Sequence, residues 1–257
     1  MEKSRKKYVV GVINVRNTKS SVMEEEFAIG FPDNVEIVMA YAPLELVSYD
    51  GLMGFLDALP GALDQFIDKD PDIIIVPSLT GSAIKGYEIV NILEQRSGRP
   101  VIVPALETKK CFKTLGIRQI AIVSAFGVEL GLLEQLFFRN HDIEVMNLIN
   151  IFDEPSDDRL RIDQVDSALI LEKARKEDFR GAQAVFFDSP TYKLRPIIEE
   201  LKSLIKLPLF SVNQIIIYSA LKRLGLPADH LPIAEYYREE EERRQSRVQE
   251  RECNGSN

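Results

Sequence analysis

The sequence contains a series of short apolar runs rich in valine and isoleucine, separated by longer amphipathic segments. Most of the runs are apolar throughout instead of alternating with polar positions, which is typical of parallel strands covered on both faces. The predicted strands are Tyr8–Val15, Val35–Ala40, Asp72–Pro77, Val101–Pro104, Gln119–Ser124, Ile143–Leu148, Ala184–Phe187 and Leu209–Ser211. The helical patterns between them are Leu52–Lys69, Ala83–Gln95, Glu107–Leu115, Val128–Asn140, Ser167–Phe179, Arg195–Lys206 and Gln214–Leu224. This alternation predicts an α/β protein with parallel sheets flanked by helices.

Two parts of the chain, residues 71–116 and 182–225, resemble each other. Each has an apolar strand followed by a polar loop that contains a serine and, two residues later, a threonine. These pairs are Ser78 with Thr80 and Ser189 with Thr191. A helix, a turn before a proline, a second strand and a helix closed by Leu-Gly follow in both parts. We interpret this as an internal duplication, which predicts two pseudo-symmetric lobes whose serine loops face each other across a cleft.

The duplication suggests a division of the chain. Residues 1–115 plus 212–234 are predicted to form the first α/β lobe, and residues 116–211 the second. The tail, residues 235–257, is almost wholly charged and polar. It cannot bury much apolar surface, so we expect a frayed helix or disorder there.

Composition excludes several classes of protein. The net charge of −8 and the lack of a basic stripe argue against a nucleic-acid partner. No stretch approaches the roughly 20 apolar residues of a membrane span. The basic N-terminal residues before the first apolar run imitate a signal peptide, but no small-residue cleavage site follows, so a first strand is expected. The 2 cysteines, Cys111 and Cys253, form no ligand or disulfide pattern and suggest a cytoplasmic protein.

Motifs for nucleotides, metals and catalytic triads are absent from the sequence. No GxGxxG follows a strand and no GxxxxGK[ST] occurs, so a bound nucleotide is unsupported. His141 and His230 are the only histidines, and neither lies in a pattern for a metal site or a triad. Surface or capping roles are expected for both.

Four polar loops follow predicted strands, where ligands bind in open α/β sheets. They are Arg16–Ser21, Ser78–Ser82, Asp188–Thr191 and Ser211–Gln214. Hydroxyls, amides and free N–H groups at helix starts can hold an anion such as a carboxylate. Simple N-capping explains any one of these loops equally well. Four of them at one sheet edge favour a small anionic ligand.

At these loops the sequence resembles the aspartate/glutamate/hydantoin racemase superfamily, especially its maleate cis–trans isomerase and arylmalonate decarboxylase branches. The resemblance runs from about Val9 to Leu226 and is most specific in Pro77–Gly86, Gly98–Phe126 and Leu207–Gln214. The acidic run Met23–Glu26 also resembles a family motif. The resemblance implies two pseudo-symmetric lobes with the active site between them, a small carboxylic acid as substrate and no cofactor.

In those families a cysteine from each lobe faces the substrate, and one thiolate removes a proton next to a carboxylate or attacks the substrate. The resemblance places Ser78 and Ser189 at these catalytic positions. It implies that substrate-binding residues are Thr80, Gly81, Ser82, Phe126 (at a tyrosine position), Thr191 and Asn213. The first-loop asparagine of the family corresponds to Asn17, Thr18 or Ser20, because an insertion follows Asn17.

The two serines change the expected chemistry. A serine hydroxyl ionises far less readily than a thiol and needs a neighbouring base. Lys85, Lys193 and Asp188 lie near the serines in sequence, and a serine–lysine pair is chemically possible. Lysines at such helix positions are more often solvated, however. The thiolate mechanism is therefore not expected to operate unchanged, and Cys111, within a helix, is expected to pack.

Two functions remain open. The first is a cofactor-independent isomerase, racemase or decarboxylase in which Ser78 and Ser189 position the substrate or relay protons. Preorganised donors can stabilise a developing enediolate without a thiol. The second is a catalytically inactive family member that binds a small carboxylate. Small polar residues at both positions favour the enzyme, and pairing through exposed helices, common in such folds, favours a homo-oligomer.

Overall fold

The computed structural model describes residues 6–15, 21–154 and 158–254, with side chains as far as residue 247. Its strands are β1 (Tyr8–Val15), β2 (Val35–Ala42), β3 (Ile73–Ile75), β4 (Val101–Ile102), β5 (Gln119–Ser124), β6 (Glu144–Asn150), β7 (Ala184–Phe187) and β8 (Leu209–Ser211). They form two four-stranded parallel sheets, ordered β2-β1-β3-β4 and β6-β5-β7-β8. The predicted α/β class and its two lobes are confirmed.

Ten α-helices are assigned within the described residues. They are α1 (Val22–Gly30), α2 (Tyr49–Ala62), α3 (Leu79–Ser97), α4 (Pro104–Leu115), α5 (Val128–Arg139), α6 (Arg159–Ile162), α7 (Ser167–Lys176), α8 (Ile198–Ile205), α9 (Val212–Leu224) and α10 (Ile233–Asn254). Short 3₁₀ turns, Leu63–Phe66 and Arg195–Ile197, follow α2 and precede α8. The apolar patterns missed α1 and α6, which are short and have charged residues among their apolar ones.

The two lobes repeat the same strand order, which agrees with the duplication inferred from the sequence. The Leu-Gly pairs that close the two repeats also have the same conformation. Gly116 after α4 and Gly225 after α9 have φ values of 70° and 68°. This left-handed conformation ends a helix at no steric cost only for glycine.

One hydrophobic core joins the facing sides of the two sheets, and two further cores lie on their outer sides. The Phe112 ring of α4 packs edge-on against Phe186 and Phe210 of the second sheet, with centroids 5.7 and 5.2 Å apart. In return, α9 packs on α1 and the first sheet. Helix α4, from the segment predicted to form the first lobe, thus contacts the second sheet, and the division of the chain into lobes stays a prediction.

Of the two expectations for the tail, a frayed helix or disorder, the structure shows a helix, α10, whose first turns have an apolar face. In α10, the Tyr236 ring lies 5.0 Å from that of Phe210, and Tyr237 stacks on Tyr218 at 4.6 Å. Glu240 is also buried, at 8% exposure. Within the described residues, α10 included, no helix is both long enough and apolar enough to span a membrane.

Candidate functional site

A cavity of about 90 Å³ lies where the carboxyl ends of the two sheets meet. Its polar and charged lining residues are Asn14, Ser78, Thr80, Arg159, Asp163, Asp188, Ser189 and Thr191. Its apolar lining includes Ile13, Met23, Leu44, Val47, Leu52, Phe55, Phe126 and Ile162. The structure thus brings together five residues predicted for the site, namely Ser78, Thr80, Phe126, Ser189 and Thr191.

The other predicted site residues lie elsewhere or outside the described part of the chain. Asn17, Thr18 and Ser20 fall in residues 16–20, which lie outside the described residues. Gly81, Ser82 and Asn213 do not line the cavity. These three residues form hydrogen bonds, described below, that hold the loops around the cavity in place.

The first serine loop opens directly into a long helix. Ser78 is the N-cap of α3, and its Oγ accepts a hydrogen bond from Gly81 N at 3.3 Å. A Cβ at position 81 would lie 2.7 Å from Ser78 Oγ, so this loop needs glycine there. The start of α3 therefore faces the cavity, where a helix N-terminus favours an anion. Ser78 therefore both caps α3 and lines the cavity.

Ser82 is a structural residue of this loop. Its Oγ donates to Leu79 O at 2.8 Å and accepts from Ala105 N at 3.0 Å. These two bonds fasten the start of α3 to the start of α4. The prediction that Ser82 contacts a ligand has no support from its position.

The second serine loop does not open into a helix at once, because α8 begins only at Ile198. Ser189 Oγ lies 2.9 Å from Thr191 Oγ1 and accepts from Thr191 N at 3.3 Å. Asn213 supports this loop from behind, since its Nδ2 donates to Pro190 O at 2.9 Å. Glu26, from the acidic run of α1, also bonds to Asn213, and burial raises the pKa of Glu26.

Two buried acids lie beside the second loop. Asp188 directly follows β7 and Glu134 lies in α5, and both residues have 0% exposure. Tyr192 Oη donates to Asp188 Oδ1 at 3.0 Å, and Thr80 Oγ1 donates to Glu134 Oε1. The second bond connects the loop of one lobe to a helix of the other.

Burial raises the pKa values of both acids, and for Glu134 the charge of Asp188 raises the pKa further. Burial raises the pKa of Asp188 to about 7, although Ser124, Tyr192 and Glu134 all bond to it. Burial, and next the charge of Asp188, raise the pKa of Glu134 well above its ordinary value. The sequence analysis missed Glu134. Its position four residues after Leu130 and three before Phe137, on the buried face of α5, was the available signal.

Arg159 is the one basic side chain among the described residues that line the cavity. Its Nη1 lies 2.8 Å from Asp163 Oδ2, and its Nε donates to Leu44 O at 3.0 Å. Both side chains of the pair are more than nine-tenths buried. No pattern in the surrounding polar sequence pointed to Arg159, because its burial depends on contacts with a distant part of the chain, including Leu44.

The two lysines named from the sequence as possible bases lie away from the cavity, and so do both histidines. Lys85 pairs with Glu88 at 3.5 Å and Lys193 is exposed. His141 and His230 bond to the carbonyls of Phe137 and Gly30. Burial raises the pKa of Cys111 to about 12, as expected of a packing residue.

Comparison with protein-family models and with curated protein sequences finds no match. Solved structures do match. Maleate isomerase from Pseudomonas putida S16 with maleate has a TM-score of 0.75 at 17% identity, covering 88% of this chain and 95% of that one. A cysteine-to-serine mutant of Nocardia farcinica maleate cis–trans isomerase, with a covalently bound succinylcysteine intermediate, has a TM-score of 0.76 at 16% identity, covering 90% and 98%.

Arylmalonate decarboxylase is a third similar structure, with a TM-score of 0.65 at 14% identity, covering 84% of this chain and 92% of that one. At such identities the likeness concerns the fold. The chain therefore has the two-lobed α/β fold seen in maleate isomerase and arylmalonate decarboxylase.

Proposed function

We propose that this protein is a cofactor-independent enzyme of the isomerase, racemase or decarboxylase type, acting on a small carboxylic acid held between its lobes. The observation that carries the proposal is the placement of Ser78 and Ser189. They come from equivalent loops of the two lobes and line one cavity. That cavity is small, which suits a compact acid.

The carboxylate of the substrate has suitable partners at one end of the cavity. The start of α3 supplies backbone donors and the positive end of a helix dipole. Arg159, paired with Asp163, adds the cationic group of the described lining. Such fixed donors stabilise the negative charge that develops when a bond to the neighbouring carbon breaks.

The serines stand, in this proposal, where the resembling enzymes have their catalytic cysteines. The Nocardia farcinica structure holds a succinylcysteine, so a cysteine of that enzyme becomes covalently attached. Serine at both positions removes the readily formed thiolate, since a hydroxyl ionises only with the help of a base. We therefore assign Ser78 and Ser189 to hydrogen bonding with the substrate and to proton relay.

A catalytically inactive protein that binds a small carboxylate is the second candidate. It is favoured by the fact that both hydroxyls have structural partners, Gly81 N for Ser78 and Thr191 for Ser189. The cytoplasmic location and the homo-oligomeric state stay predictions of the sequence.

Proton NMR in D₂O separates the two candidates. The protein is incubated with maleate, aspartate, glutamate, aryl- and alkylmalonates, hydantoins and hydroxy acids. We expect conversion or deuterium uptake in one of them, reduced about 100-fold in Ser78→Ala and Ser189→Ala, as for loss of one transition-state donor.

Matched controls are available for both serines. Ser211→Ala removes an equivalent N-cap, also 3.3 Å from its N–H donor, away from the cavity. Ser203→Ala removes an exposed hydroxyl of α8. Equal activity in the cavity variants and these controls would contradict the proposal, and line broadening of an acid without conversion would establish the binding protein.

A further inference from the structure

The serine sites lack an obvious base, and the structure contains one buried group next to them that can hold a proton. Asp188 directly precedes Ser189 and borders the cavity. Its Oδ2 has no hydrogen-bond partner among the described residues, and neither has Glu134 Oε2. The lysines and histidines named above lie elsewhere.

The surroundings of this acid pair are uncharged apart from the acids themselves. Asp188 meets Tyr192 in its own loop, Ser124 at the end of β5 and Glu134 of α5. Glu134 meets Thr80 from α3. The charged pair Arg159 and Asp163 also borders the cavity, and the cation of this pair is bonded to Asp163.

This arrangement requires at least one proton on the pair. Two adjacent ionised carboxylates without a cation repel each other strongly where water is excluded. Glu134, which does not line the cavity, is the acid that stays neutral, because burial and the charge of Asp188 both raise its pKa. Asp188, with three donors around it, is the acid that loses its proton near neutral pH.

We propose that Asp188 is the base that removes the proton next to the carboxylate of the bound acid, and that Glu134 is its neutral hydrogen-bonding partner. The inference rests on the proposed function and names the proton acceptor that the serines need. In the step, the Cα–H bond breaks and its proton goes to the Asp188 carboxylate, which borders the cavity. The electron pair of that bond moves into the carboxylate unit as an enediolate, which the donors at the start of α3 stabilise. Return of the proton from Asp188 completes the exchange.

The proposed base, Asp188, belongs to the second serine loop and has no counterpart in the first. In the duplicated loop of the first lobe the residue before the serine is Pro77, which cannot accept a proton. The described residues of the first serine loop therefore offer the substrate hydroxyls and backbone donors but no titrating group. Proton removal and return on one face predict exchange with solvent without inversion of a chiral acid.

The test compares Asp188→Asn and Glu134→Gln with the wild type, and Asp178→Asn serves as an exposed aspartate control. Deuterium uptake by the acid identified above is measured from pH 5 to 9. The wild-type rate is expected to rise with a midpoint near 7, because the base acts as a carboxylate. Asp188→Asn should lose about 100-fold or more in rate. Glu134→Gln, which keeps a neutral partner, should retain exchange within about tenfold and keep a midpoint near neutral pH.

Carbon-13 NMR of labelled aspartate carboxyls supplies a readout that needs no turnover. One carboxyl should titrate near pH 7 in the wild type, in Glu134→Gln and in Asp178→Asn, and be missing from Asp188→Asn. A structural role for the acid pair would change stability in both site variants but would leave the rate and its pH midpoint in place.

The outcomes separate this inference from the proposed function. Exchange in the wild type that persists in Asp188→Asn overturns the inference and leaves the proposed function intact, as does inversion as fast as exchange. No exchange with any acid overturns the proposed function and, with it, the catalytic role of Asp188. In that case the carboxyl titration still tests whether Asp188 holds a proton near neutral pH. A titration midpoint in the ordinary range near 4 would show that it does not.

Discussion

The two serine loops have related sequences but different local structures. In the first lobe, Ser78 caps α3 and the helix starts at the next residue. In the second lobe, Ser189 bonds to Thr191 and α8 begins several residues later. The residue before the serine is a proline in one loop and the buried Asp188 in the other.

The difference suggests a division of labour within a duplicated frame. A helix start with free N–H groups suits binding of an anion, whereas a buried carboxyl with a raised pKa suits exchange of a proton. Two copies of one supersecondary unit can thus place different chemistry on opposite sides of a substrate. The bond from Thr80 to Glu134 connects the two sides directly.

The largest expected effect concerns the pH dependence of stability, which only the second loop should show. Asp188 has a folded pKa of about 7, above the 3.8 of the free side chain, so the folded protein binds this proton more tightly. Its stabilising contribution is full below about pH 4 and is lost as the pH rises through about 7. Over this window the free energy of unfolding should fall by on the order of a few kcal/mol.

Urea unfolding at pH 5, 6, 7 and 8 measures this slope in the wild type and in Asp188→Asn. The difference between the two proteins reports the titration of Asp188 together with its effect on the neighbouring Glu134. Identical slopes would show that Asp188 ionises in the folded state as it does in the unfolded chain.

The next effect concerns the first loop, where Gly81→Ala should disturb the cap. The new Cβ would lie 2.7 Å from Ser78 Oγ, so the serine or the backbone must move. We expect a loss of about 1–3 kcal/mol in the free energy of unfolding, typical of overpacking, together with weaker carboxylate binding. Gly54→Ala is the matched control, because no heavy atom lies within 4 Å of its Cβ and alanine favours the helix.

Thermal unfolding and ligand titration of the two glycine variants check this prediction. Gly54→Ala should be as stable as the wild type or more so. If Gly81→Ala matched it in stability and affinity, the first loop would tolerate a side chain and its close contact would have no role.

A smaller effect separates capping from function at Ser78. Ser78→Ala and Ser211→Ala each remove a side-chain cap with the same donor–acceptor distance, 3.3 Å. Both should therefore cost about 1 kcal/mol of stability. Only Ser78→Ala should also reduce ligand binding or activity, as judged by chemical denaturation and the NMR assay. Equal functional loss in both would assign the effect of Ser78 to the helix alone.

The smallest effect is expected at the end of the chain, far from both loops. Truncation after Glu239 keeps Tyr236 and Tyr237, which pack on Phe210 and Tyr218, and removes the buried Glu240 with the exposed residues 241–247 and the mostly polar residues that follow. The ion pairs of Glu240 with Arg243 and Arg244 are lost, and such largely exposed arginines contribute little. Calorimetry should show a loss below about 1 kcal/mol, and a large fall in melting temperature would reveal a further docking contact.

The sequence by itself determined the strands, most helices and the repeated arrangement of the two lobes. These features depend on residues close together in the chain: apolar runs specify buried strands, and Leu-Gly pairs end helices at Gly116 and Gly225. The two serine–threonine loops were also visible, because each follows a strand within its own repeat. The sequence did not reveal that α4 contacts the second sheet, because an apolar helix face does not show which sheet will cover it.

Only the tertiary structure decided what surrounds the serines. Thr80 and Glu134 are 54 positions apart, and Leu44 and Arg159 are 115 apart, yet each pair is hydrogen bonded at the cavity. Asn213, predicted from the sequence to bind the ligand, instead donates a hydrogen bond to Pro190 O in the folded structure. The pKa of Asp188 follows from the same packing, because the free energy of a charge depends on the water and partners that the fold leaves around it.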